Sequence, residues 1–169
     1  MFKNYLTNNE LSREEKIQNF LQKAKVVCKK LSSKELQHLH IYNYNYTVDV
    51  AVNELGLDEE LIYQLIDDYV AQIIKSKAQF MEYIKDIEDI EQINIPEDYK
   101  LLRELAHKNL GVAKNLRILD AQKLLTELLT KDDLNYLMLC LEVLEACAVR
   151  LSPECAYETM QLIEIKNNI

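Results

Sequence analysis

The sequence predicts an all-α protein: an antiparallel four-helix bundle with additional N-terminal helices and a short C-terminal helix. Three observations carry that expectation. Apolar residues recur at spacings of three and four along most of the chain, the period of a helix with one buried face. The 169 residues hold only two glycines and two prolines, far fewer than the turns of a sandwich or barrel require. Capping residues stand where the apolar series begin. With 49% apolar residues, a chain of this length can enclose one sizeable core.

Ser12 and Glu15 have capping-box spacing, and Ile17, Phe20, Leu21, Ala24, Val27, Cys28 and Leu31 follow at helical intervals, predicting a first helix over 12–31. Ser32 and Glu35 repeat the signature for a short helix through Leu36 and Leu39. Tyr42, Tyr44 and Tyr46 then alternate with asparagines, which reads as a connector packed on the bundle; a tyrosine-lined pocket is the other reading. Thr47 caps a brief helix closed by Gly56, a residue suited to the left-handed conformation that ends helices. Asp58 opens a long helix to about Asp86, with Leu61, Leu65, Tyr69, Ile73 and Phe80 and their neighbours on its core face. Beyond an acidic stretch, Pro96 suits the start of a helix running to about Leu116, and another covers 118–130. Asp132 or Asp133 caps the last long helix, which ends near Ser152-Pro153 before a final turn or two around 156–165.

Charge and cysteine spacing narrow the function. A net charge of -8 without a broad basic surface argues against nucleic acid, whose binding needs clustered Lys and Arg. No run of apolar residues is long enough to insert in a membrane, and residues 1–11 lack the apolar stretch of a signal peptide, so a cytoplasmic protein is expected. Cys28, Cys140, Cys147 and Cys155 form no C-x-x-C pair and read as reduced core thiols rather than metal ligands or a redox centre. Residues 1–40 carry eight bases and four acids; the Lys23, Lys25, Lys29 and Lys30 surface reads as a solvated helix face, with docking on the acidic body as a refinement.

The helix over 98–116 carries the functional signal. Projected at roughly 100° per residue, Leu102, Leu105, Val112 and Leu116 form a core arc flanked by Leu101, Ala106 and Ala113, and His107 falls opposite. Arg103 and Gly111 lie one turn to either side of it, with Lys100 and Lys114 on the same surface. An exposed mid-helix glycine costs about 1 kcal/mol against alanine and leaves space beside the imidazole. Residues 100–123 hold six bases (Lys100, Arg103, Lys108, Lys114, Arg117 and Lys123) against two acids (Glu104 and Asp120), a balance of +4. A basic island around an exposed histidine suits an acidic or phosphorylated partner, and a neutral imidazole is a competent nucleophile toward phosphorus.

The stretch Leu105-Ala106-His107-Lys108-Asn109-Leu110-Gly111-Val112-Ala113 and onward to Leu116 resembles the A-H-x-L-K-G-x-A-x-x-L signature of histidine-containing phosphotransfer (HPt) domains. The similarity extends upstream to the acidic helix start at 55–61 and downstream to about Leu151, leaving 1–46 as a helical extension packed on an HPt-like bundle over 47–169. The resemblance implies a phosphotransfer intermediate rather than an independent enzyme, with no cofactor and no bound metal. His107 would relay a phosphoryl group between aspartates of response-regulator receiver domains, and a hybrid sensor kinase is a further implied partner. Lys100, Arg103, Lys108, Leu110, Gly111 and Lys114 would form the docking surface. Two positions depart from the signature: Asn109 replaces the usual leucine and Leu110 the usual lysine. A buried Asn109 then needs a hydrogen-bonding partner, and loss of the lysine supports an alternative, an HPt-like adapter that binds receivers or other signalling proteins without phosphotransfer.

A third reading rests on Glu104-x-x-His107 and Glu35-x-x-His38, the spacing of di-metal carboxylate helix bundles. It requires inward-facing ligands, with Glu127 or Glu142 completing the set.

Overall fold

The computed structural model describes residues 11–93 and 97–168, and these are all-helical, with seven α-helices and no strand. They are α1 (Arg13–Cys28), α2 (Val48–Leu55), α3 (Glu59–Gln92), α4 (Lys100–Asn115), α5 (Leu119–Thr130), α6 (Leu134–Leu151) and α7 (Pro153–Asn167). Three of the expected caps form as hydrogen bonds: Ser12 Oγ accepts from Glu15 N at 3.2 Å, Asp58 Oδ1 from Leu61 N at 2.8 Å and Asp133 Oδ1 from Tyr136 N at 3.2 Å. Each satisfies a backbone donor that the first turn leaves unpaired. Gly56 ends α2 at φ 67°, its N–H on Val52 O at 3.0 Å.

The structure corrects four expectations. The Ser32-capped helix is absent: Lys29–Ser32 and Gln37–Leu39 form 3₁₀ turns, Ser32 Oγ donates back to Lys29 O at 2.8 Å, and the segment stops at His40 in the left-handed region, φ 56°. The long helix continues to Gln92, because Ile84 and Ile87 extend the buried series beyond Phe80 through the acidic stretch. Its buried line also runs through Ile62 and Ile66 rather than Leu61, which is exposed, and Leu65, which is half-buried. Finally, α7 is a full helix of 15 residues with Pro153 in its first turn, a position where proline loses no hydrogen bond. The expected helix start at Pro96 lies outside the described residues.

Helix α3 packs against α4, α6 and α7, α4 against α5, and α5 against α6, while α1 lies across α6 and α7. The N-terminal segment contributes Ala24, Cys28, Leu31, Leu36, Leu39 and Ile41 to the same apolar core as the later helices. Lys30 reaches Glu142 on α6 at 3.1 Å, and Arg13 pairs with Glu154 at 3.2 Å and with Glu158 on α7. These exposed pairs add little stability individually, but they place Arg13 of α1 and Lys30 of the following 3₁₀ turn on the acidic body. No described helix is long and apolar enough to cross a membrane.

Among the buried polar residues described, Asn109 is the one with 0% of its surface exposed. Its Oδ1 accepts from Gln72 Nε2 of α3 at 2.9 Å, and its Nδ2 donates to Ser76 Oγ of α3 at 3.4 Å and to Leu105 O at 3.0 Å. The amide therefore has the partners that its burial demands, and α4 is keyed to α3 in both rotation and register.

Replacing Asn109 by Ala removes those bonds and opens a cavity, so a loss of about 2–4 kcal/mol is expected by urea denaturation. Asn109→Leu combined with Gln72→Leu and Ser76→Ala should recover most of that loss, because removing all partners together leaves nothing unpaired.

Candidate functional site

The orientation of α4 follows from its buried residues. Leu102, Ala106, Asn109, Leu110 and Ala113 face the core, and at roughly 100° per residue the opposite strip carries Lys100, Glu104, His107, Gly111 and Lys114, all exposed. The buried arc is rotated from the expected one: Leu101 is 55% exposed, and Leu105 and Val112 are only half-buried. Asn109 sits near the middle of the core face, where the helical projection places it, and is fully buried.

Both ends of α4 are held. At its start, Asp98 Oδ1 accepts from Lys100 N at 2.9 Å, and Tyr99 Oη donates to Asp132 O in the α5–α6 connection at 2.9 Å. At its end, Arg117 adopts φ 63° while Ile118 N donates to Ala113 O at 3.0 Å and Arg117 N to Lys114 O at 3.2 Å. This is the left-handed helix stop usually given to glycine. Arg117 compensates through its side chain, which donates to Lys114 O at 2.7 Å and Asn115 O at 3.2 Å and pairs with Glu54. The tyrosine connector grips the same turn: Tyr46 Oη donates to Leu116 O at 2.8 Å, and Tyr44 Oη donates to Arg117 O and accepts from Leu119 N, both at 3.1 Å. Burial raises the pKa of both phenols, that of Tyr46 to about 12, so the two remain neutral donors. The packed-connector reading thus describes Tyr44 and Tyr46, although Tyr46 also lines a cavity and Tyr42 is exposed.

The basic island is thinner than its sequence. Arg103 lies over the Tyr99 ring, 4.7 Å from its centre, and donates to Leu128 O at the end of α5, so its guanidinium is spent within the fold. Arg117 is spent on its own turn, and Leu110 is 6% exposed and belongs to the core. Leu110 therefore cannot line a docking surface with His107, because the Asn109 anchor turns its side chain inward. Lys100, Lys108 and Lys114 remain exposed and make no ion pair among the described residues. Glu104 stands one turn before His107 on the same strip and offsets part of their charge.

Gly111 has no internal explanation. A Cβ built there meets nothing within 4 Å, and its φ is not in the left-handed region, so neither packing nor backbone conformation requires glycine. The residue one turn beyond His107 keeps its face of the helix bare at a cost in helix propensity.

The carboxylate–histidine pairs of the di-metal reading do not converge. His107, Glu104 and Glu35 are exposed, and Glu142 pairs with Lys30. Glu127 accepts from Tyr136 Oη at 2.7 Å and lies 3.2 Å from His38 Nε2. Among the described residues, no three His, Cys, Asp or Glu side chains gather at one point.

Sequence reasoning passed over the polar group behind the α4–α5 turn. Buried Asp120 faces Arg150 at 3.5 Å, and burial raises its pKa despite the Ala121 N–H and the guanidinium. The two are 30 positions apart on different helices, and no local spacing links them. The chain matches no protein-family model, no curated protein and no solved structure.

Gly111→Ala should stabilise the protein by about 0.5–1 kcal/mol, read as an increase in the urea midpoint. A loss of stability would show that Gly111 has a structural role.

Proposed function

We propose that this protein is a histidine phosphotransfer module in which His107 accepts a phosphoryl group from a receiver-domain aspartate and returns it to another. The observation that carries this reading is the pairing of exposed His107 with exposed Gly111 one turn on, in open space and on a lysine-bearing strip. A bare helix face beside an imidazole lets a partner's backbone approach the reacting nitrogen, and nothing inside the fold uses that space. The contacts of α3, α4, α5 and α6, each touching the next and α6 returning to α3, support the four-helix bundle that this reading requires. Outside it, among the described residues, α1 lies across α6 and α7, and α7 packs on α3 and α6.

In the transfer, the neutral imidazole of His107 attacks the acyl phosphate of the receiver in line. A P–N bond forms as the P–O bond to the aspartate breaks, and the carboxylate leaves. The receiver supplies its own metal ion and most of the catalytic groups. Lys100, Lys108 and Lys114 attract the acidic rim of the receiver and neutralise part of the phosphoryl charge. The setting is the cytoplasm, with receivers and a hybrid sensor kinase as partners.

The adapter reading has its own support. Leu110 is buried where the HPt signature carries lysine, and Arg103, the nearest arginine, is engaged with Tyr99 and Leu128. An adapter would dock receivers on the same strip without accepting phosphate.

The test is transfer from radiolabelled phospho-receivers of the source organism. Acid-labile, alkali-stable label is expected on the wild-type protein and not on His107→Gln. Gly111→Gln should weaken receiver affinity at least tenfold while leaving the unfolding curve intact. Binding without label supports the adapter, and absence of both label and binding overturns both readings.

A further inference from the structure

Cys28 and Cys147 lie 119 positions apart, at the end of α1 and in the middle of α6, yet their sulfurs approach to 4.0 Å. Both residues are 6% exposed. Cys147 also lines a cavity of about 180 Å³ with Asp120, Arg150, Tyr46 and Tyr69. That space is ample for hydrogen peroxide, since one water needs only ~10–15 Å³. The other thiols are placed differently. Cys140 is fully buried with its pKa pushed up to about 12 by burial, and Cys155 donates to Asp67 O at 3.3 Å.

We propose that Cys28 and Cys147 are an oxidisable pair, which a peroxide entering this cavity converts to a disulfide that ties α1 to α6. The geometry asks for little. The sulfurs must close from 4.0 Å to about 2.05 Å, and Cys28 stands at the junction where α1 passes into the 3₁₀ turn Lys29–Ser32. The chemistry is favourable too. The thiol of Cys28 is more acidic than usual, because Cys147 hydrogen-bonds to it and the Arg150 guanidinium is near, whereas that hydrogen bond and burial raise Cys147. The Cys28 thiol is thus the readier of the two to give the thiolate, the form that reacts with peroxide.

The step balances as follows. The thiolate attacks one peroxide oxygen, the O–O bond breaks, and the departing hydroxide takes a proton to become water, leaving a sulfenic acid. The second sulfur then attacks the sulfenic sulfur, the S–S bond forms, and hydroxide leaves with the second thiol's proton as another water. Two thiols lose two electrons, and one peroxide is reduced to two waters. The product closes a loop through most of the chain, which restricts the unfolded state and raises thermal stability. It joins α1 to the body by a covalent bond without involving His107.

The experiment treats the reduced full chain with graded hydrogen peroxide, then alkylates all remaining thiols under denaturing conditions and reads intact mass and tryptic peptides. The expected result is loss of two hydrogens with two of the four cysteines blocked. A peptide linking Cys28 to Cys147 should appear, the melting temperature should rise, and dithiothreitol should reverse both. Cys28→Ser and Cys147→Ser should each abolish the link; if either variant fails to fold by circular dichroism, the wild-type peptide map decides alone. Four alkylated cysteines, overoxidation of either thiol without a linked peptide, or a link through Cys155 would each overturn the proposal.

Discussion

The rotation of α4 about its own axis sets what this protein presents to solvent, and the buried amide of Asn109 fixes that rotation. An apolar residue in its place would tolerate a range of helix rotations, because dispersion and hydrophobic burial are weakly directional. An amide that receives from Gln72 and donates toward Ser76 tolerates few, since a turn of α4 by one residue would leave polar atoms dry and unpaired. With Asn109 inward, Ala106, Leu110 and Ala113 must also face the core, and His107, Gly111 and Lys114 must face out. The same constraint that exposes the histidine buries Leu110.

The ends of α4 are fixed by groups that the charge pattern alone would have assigned to a partner. Arg103 and Arg117 count toward a basic island in the sequence, but in the fold one stacks on Tyr99 and the other stabilises its own left-handed turn. The structure thus divides the island in two: arginines that hold the helix and lysines that remain at its surface. This division follows chemistry. A planar guanidinium can satisfy carbonyls and an aromatic face within the fold, whereas a lysine ammonium is more strongly hydrated and stays in solvent.

Much of the fold was legible in the sequence because its signals are local. Ser12, Asp58 and Asp133 cap helices where their spacing said they would, and Gly56 ends α2 as its freedom at positive φ allows. The exposed faces of His107 and Gly111 were legible for the same reason, since a 3.6-residue period places them opposite the core. What was not legible depends on contacts far apart in the chain. The inward turn of Leu101's neighbours, with Leu101 left outside, follows from the Asn109–Gln72 bond. Arg103 is drawn to a carbonyl on α5, and Cys28 meets Cys147 across 119 positions. The acidic stretch after Asp86 misled in another way, because its charges face solvent while Ile87 continues the buried line.

The central claim is that the outward strip of α4, held in place by Asn109, is the surface on which receiver domains dock. It is tested most directly by titrating the isotope-labelled protein with an unphosphorylated receiver and following backbone amide shifts by NMR. The prediction is a contiguous set of perturbed amides on α4, centred on His107 and Gly111 and reaching Lys100 and Lys114, with the Asn109 side-chain amide signals unmoved. Saturable shifts confined to another face, such as α1 or α7, with the amides of His107 and Gly111 unchanged, would contradict it.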